Sequence, residues 1–231
     1  MSRLAIIPAR SGSKRISDKN IINFFGKPII AYSIEAALAS NLFDEVMVST
    51  DDEGIARIAK GYGAKVPFLR SEKNAADHST TVDAIIEVIE MYTSMGRFFE
   101  AGCCIYPAAP LITPNLIQSC FDVFQEGNWD TVFPAIEYSH PIDRAFIVNK
   151  QGAIEMINDQ NKFKRTQDLK KSFHDSGQLY WFNTSKLVLN KTLFTKKTSI
   201  LKVSEIETQD IDNLDDLNLA KIKYKYKLNG N

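Results

Sequence analysis

Leu4-Ala5-Ile6-Ile7-Pro8-Ala9-Arg10-Ser11-Gly12-Ser13-Lys14-Arg15, running on to Lys19-Asn20, is the stretch that decides the fold. Leu4 to Pro8 is a fully apolar run of strand length, and Ala9 to Asn20 is a polar loop in which Gly12 and small residues suit a turning backbone. An all-apolar strand is one covered on both faces, as in a parallel sheet flanked by helices. The segments that follow keep that rhythm. Pro28 opens a helix whose apolar face (Ile29, Ile30, Ile34, Ala37, Leu38) runs to about Asn41. Glu45 to Thr50 reads as a second strand, Asp52 to Tyr62 as a second helix and Val66 to Leu69 as a third strand. Ser79 or Thr80 caps a helix that Gly96 stops after about Ser94. Cys103 to Tyr106 is a fourth strand, and Thr113 followed by Pro114 is an N-cap with proline in first position, opening a helix that ends near Gly127.

Strands alternating with helices of ten to fifteen residues require right-handed crossovers, so the expected fold class is α/β: a three-layer, Rossmann-like, doubly wound and mostly parallel sheet. After Thr131 to Ile136 the rhythm changes. Phe146 to Val148 and Ala153 to Ile157 read as a hairpin, and a polar stretch continues to about Ser172, so roughly 137–176 is expected as a small β-rich insertion in a single domain spanning 1–231. The doubly wound pattern resumes with Leu179 to Phe182 and Ile200 to Val203 and closes with a helix capped by Asn213. Lys221 to Lys227 alternates basic and apolar residues and reads as a solvated helix end. Ligands of such sheets sit beyond the carboxyl ends of the strands, which is where the loop after the first strand falls.

With 231 residues the chain is long enough for one large core, hiding about 72% of its extended surface without staples. Its 44% hydrophobic and 24% charged content fits an ordinary soluble globule and excludes disorder. Lys plus Arg equals Asp plus Glu at 28 each, so no global field draws the chain to nucleic acid or anionic lipid. The charge is local instead. Met1 to Lys27 holds Arg3, Arg10, Lys14, Arg15, Lys19 and Lys27 against the single acid Asp18, whereas Ser204 to Asp216 holds six acids and no base. Cys103, Cys104 and Cys120 lack metal-type spacing and read as buried free thiols. Prolines 107, 110 and 114 break the longest uncharged stretch, which excludes a membrane helix there, and an apolar strand at the N-terminus in place of a signal-peptide pattern predicts a cytoplasmic protein.

Two segments carry chemistry. Consecutive backbone N–H groups of the loop from Pro8 to Arg15, with Arg10, Lys14, Arg15 and Lys19, suit a polyphosphate, although neither a Walker A nor a G-x-G-x-x-G spacing is present. The competing reading is a solvated basic loop. Asp210-Ile211-Asp212 sets two carboxylates on one side of an extended segment, the arrangement that shares a hard divalent ion with substrate phosphates; the competing reading is charge near the N-terminus of the last helix, which we prefer for Asp215 and Asp216. A phosphohydrolase nucleophile would sit after the first strand, not here. A nucleotide-sugar glycosyltransferase also uses Asp-x-Asp to hold a metal, and a silent nucleotide-binding subunit would bind without turnover.

The same residues, Ile7 to Arg15, Lys19-Asn20-Ile21 and Gly26-Lys27-Pro28, resemble the opening signature of the CMP-sugar-acid synthetases, the cytidylyltransferases that activate sialic acid and its relatives. The likeness continues through Val48 to Asp52, Arg70, Asp77 and Gln209 to Asp212, so it covers essentially the whole chain. Arg165 to Leu169 and His174 to Tyr180 look most like the pseudaminic acid branch, and Tyr106-Pro107-Ala108-Ala109-Pro110 departs from the Gln-Pro-Thr-Ser-Pro of sialic acid enzymes. The resemblance implies CTP plus a nonulosonic acid, pseudaminic acid before legionaminic or N-acetylneuraminic acid, giving CMP-sugar and pyrophosphate for glycan or flagellin glycosylation. It also implies Arg10, Ser13, Lys14, Lys19 and Asn20 on the triphosphate and nucleotide, and Arg70, Asp77 and Ser79 at the cytidine end. Asp210 and Asp212 would hold Mg²⁺, and with Arg10 and Lys19 they form the implied catalytic set. Arg165, Gln167, Gln178 and Tyr180 are implied around the sugar, and the insertion is implied as the contact of a homodimer, with no nucleic acid or membrane partner.

Overall fold

The computed structural model describes residues 1–230. In chain order it contains β1 (Arg3–Pro8), a small hairpin of β2 (Asn23–Phe24) and β3 (Lys27–Pro28), α1 (Ile30–Ala39), β4 (Glu45–Ser49), α2 (Glu53–Gly61), α3 (Glu72–Ala75), α4 (Thr81–Ser94), β5 (Ala101–Ile105) and α5 (Pro114–Glu126). Then come β6 (Thr131–Glu137), β7 (Phe146–Val148), β8 (Ile154–Met156), β9 (Phe173–Asp175), β10 (Leu179–Asn183), α6 (Thr184–Asn190), β11 (Thr198–Lys202) and α7 (Leu214–Leu228). The main sheet has the order β11-β6-β10-β5-β1-β4, with β9 also paired to β6. Strands β4, β1, β5, β6 and β11 share one direction, and only β9 and β10 run against them. The mostly parallel α/β sheet expected from the alternating pattern is therefore present.

Period-two alternation in buried strands divides the interior in two. Ala5, Ile7, Cys103, Leu179 and Trp181 enter the core under α1, α2 and α5, whereas Leu4, Ile6, Cys104, Tyr180 and Phe182 enter the core under α4 and α6. Trp181 is fully buried, stacks on Phe43 at 5.0 Å between ring centres, and donates its indole N–H to Ile117 O at 3.0 Å, so burial leaves no orphan donor. A third cluster, built on Phe24, Ile29, Tyr32, Ile211 and Leu217, ties the β2–β3 hairpin and α1 to the segment before α7. The caps read from sequence at Thr80, Thr113 and Asn213 hold, each accepting from a backbone N–H in the first turn of its helix, and Asp52, read as the first helical residue, is itself the N-cap of α2.

Several expectations differ from the structure. Val66 to Leu69 is not a strand; Lys65 makes one isolated bridge to Met47, and Pro67 lacks the donor needed to extend the ladder. Pro28 belongs to the small hairpin, and its helix begins at Ile30. Leu179 to Phe182 forms a strand as expected but inserts antiparallel between β5 and β6, so the chain reverses there instead of crossing over. The polar stretch before it contains β9, which pairs with the end of β6 through Ala135↔Asp175. The basic stretch in α7 is not wholly solvated: Lys223 is buried, donating from Nζ to Glu205 O at 2.7 Å and Thr208 O at 2.8 Å. No helix among the described residues is long and apolar enough to cross a membrane.

Candidate active site

The loop after β1 is held open from several sides. Ala9 N–H donates to Ser49 O at 2.9 Å, continuing the β1 to β4 register past the strand end. Asp51, just beyond β4, accepts from Ser11 N–H at 2.8 Å and Ser11 Oγ at 2.5 Å, and Asn20 Nδ2 donates to Arg10 O at 2.8 Å. Burial alone would push the Asp51 carboxyl up, but the Ser11 hydrogen bonds and the nearby Arg70 charge hold it below the usual range. The result is a pinned loop at the carboxyl edge of the sheet, with its cationic side chains free to converge.

They converge on a cavity of about 730 Å³ lined by Pro8, Arg10, Ser13, Lys14, Arg15, Lys19 and Asn20 from the loop, by Asp77, by Tyr106, Pro107 and Ala108 after β5, by Asp175 and Gly177, and by Asp210 and Asp212. This size suits a ligand of nucleotide dimensions. Arg10 Nη1 donates to Asp77 Oδ1 at 2.9 Å and Ala75 O at 3.2 Å, and Lys14 pairs with the other Asp77 oxygen. Those hydrogen bonds, Lys14 first, hold the Asp77 carboxyl below its usual range. Arg15 pairs with Asp212 at 2.7 Å, while Lys19 donates to Ile211 O at 2.6 Å and lies 3.8 Å from Asp212. The basic segment and the acidic one, separated by nearly the whole sequence, thus face each other across one site.

Asp210 and Asp212 line the same cavity, as their i, i+2 spacing requires for an extended segment. Burial first, and the Asp212 charge second, push the Asp210 carboxyl up. Among the described residues Asp210 has no Lys, Arg or His within 4.0 Å. A carboxylate lining the cavity beside a second one and without a cation of its own is a charge excess that a hard divalent cation relieves, so this donor set fits Mg²⁺. No group of three potential ligands occurs among the described residues, so such an ion would take its other ligands from phosphates and water. The segment is also firmly backed. Asp216 Oδ2 accepts from Asp212 N–H at 2.9 Å and Asn213 N–H at 3.0 Å, Gln178 Nε2 donates to Glu207 O at 3.2 Å, and Lys223 anchors residues 205 and 208. Gly177, at φ +68, passes so close that a Cβ there would lie 2.9 Å from Asp210 Cβ and Cγ.

A side cavity of about 120 Å³ shares Pro8, Arg10 and Tyr106 with the main one and adds Arg70, Asn74, Ser79 and Thr81. Ser79 Oγ is buried there without a hydrogen-bond partner, an unmet polar group of the kind that a ligand satisfies. Arg70 is buried and turned inward, donating to Ser49 O at 2.6 Å and Ser49 Oγ at 3.0 Å, and burial lowers its pKa. Arg70 therefore braces the end of β4 beside the site.

The residues implied around the sugar are not gathered at this cavity within one chain. Arg165 and Gln167 sit in an exposed turn of the insertion. Gln178 is fully buried and spent on Glu207 and Ser176. Tyr180 is 4% exposed, its ring packed against Tyr106, Phe133 and Phe194, because the strand period turns it into the core under α4 and α6. Conversely, the structure brings in Tyr106, Asp175 and Gly177, which lie in runs that bear on the resemblance but had no site role assigned from sequence. An apolar cavity of about 700 Å³ between α4 and α6 holds no free cation, since Arg97 is engaged by Glu45 at 2.5 Å.

A family model described as cytidylyltransferase matches residues 4–224. The chain is 42% identical over 226 residues to the pseudaminic acid cytidylyltransferase of Campylobacter jejuni, covering 97% of each chain. It is 32% identical to the CMP-N,N'-diacetyllegionaminic acid synthase of Legionella pneumophila, over 92% of this chain and 91% of that one. Among solved structures, CMP:2-keto-3-deoxy-manno-octonic acid synthetase complexed with CTP superposes with a TM-score of 0.72 at 17% identity, covering 98% of this chain and 100% of that one.

Proposed function

We propose that this chain, which belongs to the cytidylyltransferase family, joins CTP to a nonulosonic acid, pseudaminic acid first among them, releasing pyrophosphate and the CMP-sugar. The observation that carries the reading is the convergence of Arg10, Lys14, Arg15 and Lys19 with Asp210 and Asp212 on one nucleotide-sized cavity at the carboxyl edge of the sheet. In the reaction the anomeric hydroxyl oxygen forms a bond to the α-phosphorus while the bond to the β-phosphate bridge breaks. The work of the protein is placement and neutralisation. Arg10 and Lys14 exchange Asp77 for phosphate oxygens, Lys19 stays bridged to Ile211 O, and the pinned loop amides complete the triphosphate seat. Ser79 Oγ faces the nucleoside end. Asp210 and Asp212 would hold Mg²⁺, whose chemistry there is relief of phosphate charge and polarisation of the attacking hydroxyl.

The insertion supports a homodimer. Phe146, Val148, Ile154 and Phe163 are 55%, 71%, 68% and 92% exposed on or beside a two-stranded hairpin that is too small to be stable alone. The accessible surface of 12647 Å² exceeds the roughly 10,500 Å² expected for a compact chain of this mass. A second copy laid on this hairpin buries those side chains and gives Arg165 and Gln167 a route to the neighbouring cavity; sedimentation equilibrium tests it, and a monomer at micromolar concentration would overturn it. Because CTP is a cytoplasmic metabolite, the reading places the enzyme in the cytoplasm. The direct test is pyrophosphate release from CTP and Mg²⁺ with pseudaminic, legionaminic and N-acetylneuraminic acids side by side, against a blank without sugar. Release with pseudaminic acid is the expected result, preference for another acid replaces the sugar, and silence with all three overturns the reaction.

A further inference from the structure

The main cavity contains four carboxylates; two are paired with basic side chains, and a third, Asp210, stands beside Asp212 as half of the candidate cation seat. The pairs are Asp77 with Arg10 and Lys14, and Asp212 with Arg15. Asp175 has no such partner: among the described residues no Lys, Arg or His lies within 4.0 Å of it, and no side chain donates to it. It is nonetheless held in place. It ends β9, in register with Ala135 of β6, and its Oδ1 accepts from Gly177 N–H at 2.8 Å within the tight turn that leads to β10. A carboxylate drawn partly out of water, fixed in position and left without a countercharge is costly to the free protein, and a ligand donor at that point repays it.

The chemistry of the donor follows from charge. Without a cation between them, the Asp175 carboxylate, already beside that of Asp210, repels both a phosphate and the carboxylate of an acidic sugar, so neither contacts it directly. What it accepts is a neutral O–H or amide N–H. We propose that Asp175 is a specificity-determining residue that orients the sugar acid by accepting a hydrogen bond from a ring hydroxyl or amide N–H substituent, an inference that rests on the cytidylyltransferase reading above. The insertion's last strand thereby delivers a substrate contact to the cavity, from a segment that the basic loop and the paired aspartates do not supply.

The test uses Asp175→Asn, which keeps an oxygen for Gly177 N–H but loses the charge, and Asp175→Ser as a second variant, with melting curves confirming that each folds. Titration calorimetry measures the binding of pseudaminic acid to protein already saturated with Mg²⁺ and a CTP analogue whose α,β-bridging oxygen is replaced by carbon, so that no turnover occurs. Removing a charge-assisted hydrogen bond predicts roughly ten- to hundredfold weaker sugar binding, with affinity for the nucleotide analogue changed less than about twofold. In turnover the loss appears in the sugar KM more than in kcat. Unchanged sugar affinity in both variants beside an active wild type overturns the inference and leaves the reaction standing. Weakened Mg²⁺ or nucleotide binding with unchanged sugar affinity also overturns it, moving Asp175 to the cation end. A wild type that binds the nucleotide analogue and no sugar acid overturns the reading and the inference together.

Discussion

Gly177→Ala probes the closest approach in the site. The glycine has φ +68, a conformation that costs an L-residue about 1–2 kcal/mol. The new Cβ would also stand 2.9 Å from Asp210 Cβ and Cγ and 3.2 Å from Oδ1. Carbon atoms rest about 3.5–4.0 Å apart, so Asp210 must retreat by roughly 0.6–1 Å. Because the crowded atoms are the root of a short side chain, the retreat has to be taken up by the backbone of residues 210 and 211. The strain alone lowers the melting temperature by about 2–8 °C in a domain of this size. The displacement matters more, since a misplacement of about 1 Å costs up to roughly a hundredfold in rate. We therefore expect kcat to fall about 10- to 100-fold and the Mg²⁺ concentration for half-maximal activity to rise, read by a pyrophosphate-release titration against Mg²⁺. Gly177→Asn separates the two causes, because asparagine tolerates the left-handed conformation but still carries a Cβ; it should recover stability more than turnover. Wild-type melting and Mg²⁺ dependence in Gly177→Ala would refute the argument that Asp210 is positioned by this turn.

Other perturbations read the remaining supports. Asp51→Asn removes the charged acceptor of Ser11 N–H and Oγ, so CTP affinity measured by calorimetry should drop several-fold. Because the Asp51 carboxyl titrates below its ordinary value when folded, its contribution is present above about pH 4 and is lost as pH falls through the depressed value. The variant should therefore show a shallower acid-unfolding curve than the wild type below about pH 4, and identical curves would remove Asp51 as the tether. Asp212→Ala should abolish Mg²⁺-dependent turnover while circular dichroism reports an intact fold; retained activity sinks the cation assignment. Lys223→Met strips the donor from Glu205 O and Thr208 O, of which the buried Thr208 carbonyl is worth about 1–3 kcal/mol when orphaned, offset in part by relief of a buried charge. Its signature is a melting point lowered by a few degrees together with weaker Mg²⁺ dependence, and a stability loss without the Mg²⁺ effect would make Lys223 purely structural.

What the chain makes legible is local. Apolar runs separated by caps such as Thr113-Pro114 and Asn213 place strands and helices well, because each signal lies within one turn of the element it ends. The pinned loop and the Asp-x-Asp pair were also visible, as both are short segments whose spacing already defines a geometry. The errors lie where distant segments decide. Leu179 to Phe182 has the composition of a strand whichever way it runs, and only the turn at Gly177 reverses it. Lys223 looks like its solvated neighbours until carbonyls 15 and 18 positions earlier fold against it. Asp175 lies in the run His174 to Tyr180 that carries the family resemblance but has no role assigned by it, and its place in the cavity depends on β9 finding the end of β6. Tyr180 belonged to a run that resembled a sugar-binding motif, yet strand alternation assigns its ring to the core.

The adjacent thiols of β5 have a use that follows from their opposite facing. Cys103 lies in one core and Cys104 in the other, Cys120 joins the first from α5, and burial pushes all three thiols up, Cys104 and Cys120 to about 12. An alkylating reagent, which needs an exposed thiolate, reaches them only when a helical layer lifts away. The two neighbours therefore form a built-in pair of clocks, one per side of the sheet, and the order in which a mass spectrometer sees them labelled tells which layer breathes first.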